Sequence, residues 1–307
     1  MRFGTAFWAS TGSWPGLRDA AMLADASGFD SIWLDDHLLD DEGDPDSDKL
    51  EAWVALSALA PITSRASLGH LVSANTFRNP GLVAKMAVTL DHASGGRAIL
   101  GVGAGWFERE HEAFAIDFGR SAGDRLDRLG EALPILRGLL DGERVTTGGP
   151  MYPMREALVR PRPVQGHLPI LVGGSGPRKT LPLVARWADV WNAYGTPAEI
   201  AEAAAILDAR CMDIGRDPAT IERSVNVNVV IRDTKTAAEA AWAEVIRLHQ
   251  PHSREASLNA AGPPAEVAAA LRPYADVGVR LIVLVLRCPW DLETIARLGE
   301  VRSALSG

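Results

Sequence analysis

One histidine stands where a side chain could transfer a proton. His37 follows the apolar run 31–34 and two carboxylates, Asp35 and Asp36. An imidazole gives or takes a proton near neutral pH, so His37 is a candidate general acid or base. The alternative is a structural histidine paired with Asp35 or Asp36. The remaining histidines lack such a context and are interpreted as structural or exposed: His70, His92, His111, His167, His249 and His252.

A glycine-rich turn is the best candidate for binding an anion. It follows the apolar run 169–172 and consists of Gly173, Gly174, Ser175 and Gly176. Glycines after a strand expose backbone N–H groups, and a following helix adds the positive end of its dipole. Pro177 suits the first turn of that helix, and Arg178 and Lys179 add positive charge. The segment therefore predicts a phosphate site, against the alternative of a tight turn that needs glycine for its own geometry.

A second glycine segment and three tryptophans could form a pocket for a planar ligand. Residues 101–105 read Gly-Val-Gly-Ala-Gly, but Trp106 replaces the third glycine of a dinucleotide-binding motif. Glycines there would let a flat ring or a phosphate chain approach the backbone closely. Trp8, Trp106 and Trp191 follow or end apolar runs and are candidates to line the pocket.

The elements that must position these residues alternate regularly along the chain. Eight apolar runs are predicted strands, at 3–7, 31–34, 66–72, 97–102, 169–172, 189–191, 225–231 and 280–286. Helical patterns lie between and after them, at 17–27, 50–61, 80–93, 124–140, 177–186, 197–214, 237–248, a short helix ending at 272, and 291–304. Such alternation predicts parallel strands, and eight units suit a (β/α)8 barrel, with a doubly wound open sheet as the competitor. Active sites of such barrels lie at the carboxyl ends of the strands, where the candidates above fall.

Two segments interrupt this rhythm. Turn residues and short β-like pieces fill 141–168. The run 40–48 holds six acidic residues and is predicted to be a mobile, solvated loop, with a lid over the site as the alternative.

The overall composition excludes several classes of protein. Lys plus Arg is 31 and Asp plus Glu is 39, a net charge of -8, which argues against nucleic-acid binding. Cys211 and Cys288 have no metal-like spacing, and no metal site is expected. The amino terminus lacks a signal-peptide pattern and no apolar run reaches about 18 residues, so we expect a cytoplasmic protein with no membrane segment.

Several segments resemble the bacterial luciferase-like monooxygenase superfamily. The run 100–106, with Glu108, Glu110 and Phe114, is similar to its coenzyme F420-dependent branch. The resemblance is firm over about residues 1–230. Its segments are 28–38, 77–80, 90–97, 100–106, 172–176, 188–192 and 215–218.

The resemblance implies a single domain over 1–307, a (β/α)8 barrel of the luciferase-like kind with an insertion region at about 104–168. It implies bound F420 or FMN at the barrel mouth, a homodimer, and His37 as proton donor or acceptor. A non-prolyl cis peptide is expected at Leu71–Val72 or Val72–Ser73, behind the cofactor ring. The implied cofactor contacts are Asp36, Leu71, Val72, Ser73, Ala104, Gly105, Gly173, Gly174, Ser175 and Gly176.

Departures from the family pattern bear on the choice of cofactor. Flavin-using relatives often carry Arg where this chain has Ala104, which favours F420 over FMN. Ala115 stands where relatives tend to have Gly. The first hypothesis is an F420-dependent oxidoreductase transferring a hydride to or from a small organic substrate. The second is an FMN-dependent monooxygenase supplied with reduced flavin by a partner reductase, and the third is a non-catalytic cofactor-binding barrel.

Overall fold

The structure is a computed structural model and describes residues 1–8, 12–42, 44, 46–250 and 256–306. Gly43 and Pro45 of the acidic run, and His252, lie outside the described residues. The strands are β1 (Arg2–Trp8), β2 (Ser31–Leu34), β3 (Ser67–His70), β4 (Ser73–Ala74), β5 (Ala98–Gly103), β6 (Val145–Thr147), β7 (Met154–Ala157), β8 (Ile170–Gly173), β9 (Val190–Tyr194), β10 (Glu222–Val227), β11 (Val229–Ile231), β12 (Ala260–Gly262) and β13 (Leu281–Arg287).

The helices follow the strands as the alternation predicts. They are α1 (Trp14–Ala26), α2 (Ala52–Leu59), α3 (Pro80–Ser94), α4 (Glu108–Ala113), α5 (Ala122–Leu140), α6 (Thr180–Trp187), α7 (Pro197–Asp213), α8 (Lys235–His249), α9 (Pro264–Asp276), α10 (Leu292–Ala296) and α11 (Leu298–Ser306), with a 3-10 turn at Pro218–Thr220.

The main sheet closes on itself. Its order is β3-β2-β1-β13-β10-β9-β8-β5-β4, and β3 also pairs with β5. Eight strands therefore form a ring, with β4 as a short addition next to β5. The fold is a (β/α)8 barrel, as predicted, and the open doubly wound sheet is excluded because β3 has a partner on both sides.

The chain divides into two compact units. The first comprises Met1–Ala66, Ala193–Glu202 and Arg223–Gly307, and the second comprises Ser67–Asn192 and Ala203–Glu222. The single-domain assignment over 1–307 and the insertion bounds stay predictions.

In the first unit, β1 lies between β13 and β2. All seven residues of β13 are buried, which is typical of a parallel strand covered on both faces. The register pairs Trp8 with Arg287 at the carboxyl ends of β1 and β13. The α1 helix ends at Ala26, and Gly28 follows it with a φ of 87°, a left-handed conformation that favours glycine after a helix.

In the second unit, β5 pairs with β3, β4 and β8, and α3, α5 and α6 pack beside one another. The α3 helix begins as predicted at Pro80, where the Asn79 side chain accepts from the Gly81 N–H. Gly101 allows close strand approach, since a Cβ there would lie 1.9 Å from the His70 carbonyl oxygen. Ala115, where relatives tend to have Gly, adopts a φ of 53°.

Two predicted strands are divided in the structure. The run 225–231 separates at Asn228 into β10, in the barrel, and β11, which pairs instead with β12. Asn228 exchanges backbone and side-chain hydrogen bonds with Asn259, which redirects the chain into this small parallel sheet. The run 66–72 ends as a strand at His70, and β4 resumes at Ser73.

The prediction of a solvated loop at 40–48 is wrong for its first part. Asp40 and Glu42 are buried, at 3% and 5% exposure, whereas Asp44, Asp46 and Asp48 are exposed. The reason is that Glu42 has a buried cationic partner, so its charge is neutralised away from water.

Candidate functional site

The segment after β2 places His37 in a network of charged groups. His37 Nε2 lies 3.7 Å from Asp41 Oδ2, and the pairing with Asp35 or Asp36 given as the alternative stays a prediction. Asp41 also lies 3.7 Å from the Lys49 ammonium, which in turn contacts Asp35. Asp36 is buried beside this network, at 2% exposure.

Lys49 supplies the buried positive charge of this segment. Burial lowers the pKa of Lys49, but the Asp35 and Asp41 carboxylates outweigh burial and raise that pKa above its usual value. The ammonium therefore stays charged and fixes Asp35 and Asp41. Asp41 in turn lies 3.7 Å from Nε2 of the His37 ring.

A second buried pair joins the same segment to β13. Arg287 donates from Nη2 to Glu42 Oε1 at 2.8 Å and from Nη1 to Asn228 Oδ1 at 3.0 Å. Its guanidinium lies 4.6 Å from the centre of the Trp8 ring. Trp8 is 8% exposed, and its indole Nε1–H is buried without a hydrogen-bond acceptor in the described part of the chain. Trp8 thus lies at the end of β1 with a buried indole donor that no described residue accepts.

In the second unit, the expected non-prolyl cis peptide joins Leu71 to Val72. The Val72 side chain packs on two of the predicted glycines. A Cβ at Gly103 would lie 2.5 Å from Val72 Cγ2, and one at Gly173 would lie 3.1 Å from Val72 Cγ1. Ser73 follows, buried at 1% exposure. A Cβ at 103 would therefore clash with Val72, and one at 173 would need Val72 to move by a few tenths of an ångström.

The glycine turn after β8 is built as a loop. Gly174 has a φ of 114°, a conformation that favours glycine. Its carbonyl accepts from the Trp191 indole at 2.8 Å, and Trp191 is fully buried. The Trp191 indole thus holds the Gly174 carbonyl of the turn, and the place of Trp191 in the substrate pocket stays a prediction. Trp106, in contrast, is 50% exposed and packs on Phe107.

The helix after this turn starts later than predicted. The α6 helix begins at Thr180, so Pro177 is not in its first turn. Lys179 donates to the Gly123 carbonyl at 3.1 Å and lies 2.6 Å from the Asp127 carboxylate, so its charge is neutralised by α5. These contacts bring the start of α5 next to the glycine turn.

A buried arginine that the sequence reasoning missed lies at the same place. Arg125, in the second turn of α5, is 8% exposed; its Nε donates to the Gly105 carbonyl at 3.0 Å and its guanidinium stacks 3.8 Å from the Phe118 ring centre. Among the described residues it has no other hydrogen bond and no carboxylate within ion-pair distance. Burial lowers the pKa of Arg125 and outweighs the Glu108 and Asp124 carboxylates, which raise it from beyond ion-pair distance.

Arg125 fits the anionic group of a cofactor. It holds the Gly105 turn with one nitrogen and has two terminal amino groups left as donors, and a guanidinium matches the geometry of a phosphate. Gly105 itself has a φ of 80°, and a Cβ there would lie 2.8 Å from Thr76 Oγ1. We call the cradle the group of three neighbouring segments formed by the turn at 105, the start of α5 and the turn at 173–176. The Arg125 guanidinium gives this cradle a positive charge.

The same region holds a buried histidine with a structural role. His111 accepts or donates at Nε2 with Thr76 Oγ1 at 2.7 Å and lies 2.7 Å from the Phe107 carbonyl at Nδ1. Its ring contacts Phe77 and Phe118. Both ring nitrogens are committed, which agrees with the structural interpretation. Across the described ranges, no three His, Cys, Asp or Glu side chains are grouped to hold a metal ion.

Residues 1–281 match the family of luciferase-like monooxygenases. The chain belongs to this family. Relatives of this luciferase-like chain include a protein of Mycobacterium tuberculosis without an assigned function, 31% identical over 243 residues, 74% of this chain and 82% of the relative. The F420-dependent hydroxymycolic acid dehydrogenase of the same organism is 32% identical over 225 residues, 72% of this chain and 60% of the relative.

A solved structure repeats the fold of this luciferase-like chain over its whole length. It is an F420-dependent secondary alcohol dehydrogenase in complex with an F420-acetone adduct, with a TM-score of 0.84, 21% identity and coverage of 99% of this chain and 98% of that one. The likeness confirms the barrel. No helix in the described ranges has the length and apolarity needed to span a membrane.

Two of the missed residues left a signal in the sequence. Arg125 lies four residues before Leu129. At this helical spacing it falls on the same buried face of α5 as Leu129, Leu133 and Leu136. A charge on such a stripe marks a buried ion or ligand contact. Lys49 is the one cation that closely follows the acidic run.

Proposed function

We propose that this luciferase-like chain is a coenzyme F420-dependent oxidoreductase acting on a small organic substrate. The observation that carries the proposal is the relationship, over 72% of the chain, to a dehydrogenase named for F420. The barrel shared with an F420-dependent alcohol dehydrogenase supports it. So does Ala104, which stands where flavin-using relatives often have Arg.

The chain's own residues would hold the cofactor at the carboxyl ends of the strands. Arg125 and the turns at Gly105 and 173–176 would bind the phosphate and tail, since they offer donors and positive charge. The ring would contact residues that the family resemblance implies, namely Asp36, Leu71, Val72, Ser73 and Ala104. Bound F420 supplies hydride chemistry at one ring carbon.

His37 would manage the proton that accompanies the hydride. Oxidation of an alcohol needs a base that takes the hydroxyl proton, and reduction of a carbonyl needs an acid that returns it. The His37 imidazole can do both, with Asp41 3.7 Å from Nε2 to orient the ring. Trp8 and Trp106 would line the substrate pocket, with Trp191 beneath the glycine turn.

The test compares cofactor binding with turnover in His37→Ala. F420 binding should stay within about twofold of the unsubstituted protein, while turnover of a panel of secondary alcohols and ketones falls by about 10²- to 10⁴-fold. His167→Ala, at an exposed histidine, is the matched control and should change neither. Unchanged turnover in His37→Ala would remove the proton-transfer role, and F420 binding without any turnover would favour a non-catalytic barrel.

We also propose, from the family resemblance alone, that the protein is a cytoplasmic homodimer. Light scattering after size-exclusion chromatography tests the dimer directly, since it should give twice the mass of the 307-residue chain.

A further inference from the structure

The α8 helix contacts β11 and β12, but most of its apolar face stays incompletely buried. Only Ala238 and His249 are buried among its fifteen residues. At helical spacing between them, Ala241, Trp242, Val245 and Leu248 line a cavity of about 220 Å³. The opposite wall comes from β11 and β13, through Val229, Val230, Val285 and Leu286. The cavity therefore lies within the first unit, between a helix and two strands.

The charged groups around this cavity are neutralised by protein partners. Arg232 lies 3.0 Å from Asp291, Glu244 lies 2.6 Å from Arg247, and Arg287 is bonded to Glu42. A charged ligand would have to compete with these pairs, whereas an uncharged one would not.

The neutral polar groups at the cavity are engaged as well. The Trp242 indole donates to the Ala256 carbonyl at 3.2 Å, and His249 Nε2 is bonded to the Cys288 carbonyl at 2.7 Å. Among the described lining residues the charged and polar groups are thus engaged, and the surface that these residues offer to a ligand is that of Val, Leu, Ala, Pro and the Trp242 ring. Such a surface gains most by contact with an apolar group.

The volume sets the size of that group. An apolar protein cavity of about 150 Å³ binds a benzene molecule. The cavity beside α8 is larger, at about 220 Å³, and can hold one ring with a short substituent or a short alkyl chain. We propose that it binds an uncharged apolar group of this size, stacked on Trp242. This inference does not depend on the cofactor, because none of the lining residues is among those proposed to hold it.

The first experiment measures binding of toluene to the full chain by calorimetry and by the rise in Tm. Ala241→Leu fills the cavity and should weaken toluene binding by at least about tenfold. Ala240→Leu, one residue away on the exposed side of α8, should leave it within about twofold. Val245→Phe provides a second filling variant if Ala241→Leu fails to fold.

Benzoate serves as the charged probe of the same size. It should bind at least about tenfold more weakly than toluene, because its carboxylate would lose water without gaining a partner. Toluene binding that is absent, or unchanged in both filling variants, would overturn the proposal, as would benzoate binding as tightly as toluene.

Trp242 locates the ligand independently. Bromobenzene should quench a component of the tryptophan fluorescence that is missing in Trp242→Phe, and equal quenching in both proteins would contradict the site.

KM values show whether the bound apolar group is part of a substrate or a separate molecule. A raised KM for 1-phenylethanol but not for 2-propanol in Ala241→Leu identifies the apolar end of a substrate, and unchanged KM values identify a separate molecule. Loss of all turnover would bear on the proposed function alone, since the binding measurements need no activity.

Discussion

At the scale of single residues, Arg125 is the strongest sign that the second unit binds an anion. Burying a guanidinium that has only one hydrogen bond and a stacked ring costs free energy, and a bound anion would offset that cost. We therefore expect Arg125→Met to weaken F420 binding by about 10- to 100-fold, the usual loss for a charge-assisted hydrogen bond. Calorimetric titration with F420 measures this loss.

The matched control is an arginine one turn further along α5. Arg128 is bonded to Asp117 at 2.7 Å and to Asp124 at 3.0 Å, so it has partners within the protein. Arg128→Met should lower stability slightly and leave F420 affinity within about twofold. Equal losses of affinity in the two variants would contradict a specific role for Arg125.

Residue types indicate a candidate site but do not give all of its ion pairs. His37 is a candidate because it follows a predicted strand, with a structural pairing to Asp35 or Asp36 as the alternative. Its 3.7 Å ion pair with Asp41 was not among the pairings considered. The ion pair of Glu42 with Arg287 joins residues 245 positions apart, and no local pattern predicts such a contact.

At the scale of elements, that same ion pair fastens the segment after β2 to the end of β13. Removing one partner leaves a buried charge, so Glu42→Ala should lower the free energy of unfolding by about 3–5 kcal/mol. The double variant Glu42→Leu with Arg287→Met should recover most of that loss, because both charges are then absent. Urea denaturation checks both values, and a loss below about 1 kcal/mol in Glu42→Ala would contradict the account.

A second link joins α1 to the chain that enters β3. Asp25 accepts hydrogen bonds from the backbone N–H groups of Ser64, Arg65 and Ala66. Burial raises the pKa of Asp25, but the hydrogen bonds from Ala66, Ser64 and Arg65 together outweigh it and lower that pKa below 3.8. The stability that this carboxylate contributes is therefore complete well above the unfolded pKa and is lost as pH falls through the folded one.

The link predicts a pH-dependent stability difference. Asp25→Asn should lower the free energy of unfolding by about 1–3 kcal/mol at neutral pH, and the deficit should shrink below about pH 4. Urea midpoints at about pH 7 and pH 3 measure it. Asp19→Asn, at an exposed carboxylate of α1, is the control and should show no such change. A deficit that is equal at both pH values would refute the assignment.

The barrel elements were largely predictable, and the exceptions have local causes. Apolar runs such as β13 are long and uninterrupted, so their type and place follow from composition. The small sheet of β11 and β12 was missed because Asn228 and Asn259, far apart in sequence, hold it together. The late start of α6 was missed because Pro177 is compatible with either a turn or a helix start.

At the scale of the whole molecule, eight strand–helix units specify a (β/α)8 barrel, and the fold alone does not choose the reaction. The choice between F420 and FMN rests on Ala104 and on the F420-named relative. It is therefore the central claim to test.

The most direct measurement is calorimetric titration of the purified protein with oxidised F420 and with FMN in parallel. We expect F420 to bind at least about tenfold more tightly than FMN, which corresponds to a difference in binding free energy of about 1.4 kcal/mol. Tighter binding of FMN would contradict the central claim and favour a flavin-dependent monooxygenase. Binding of neither would contradict the cradle around Arg125 itself.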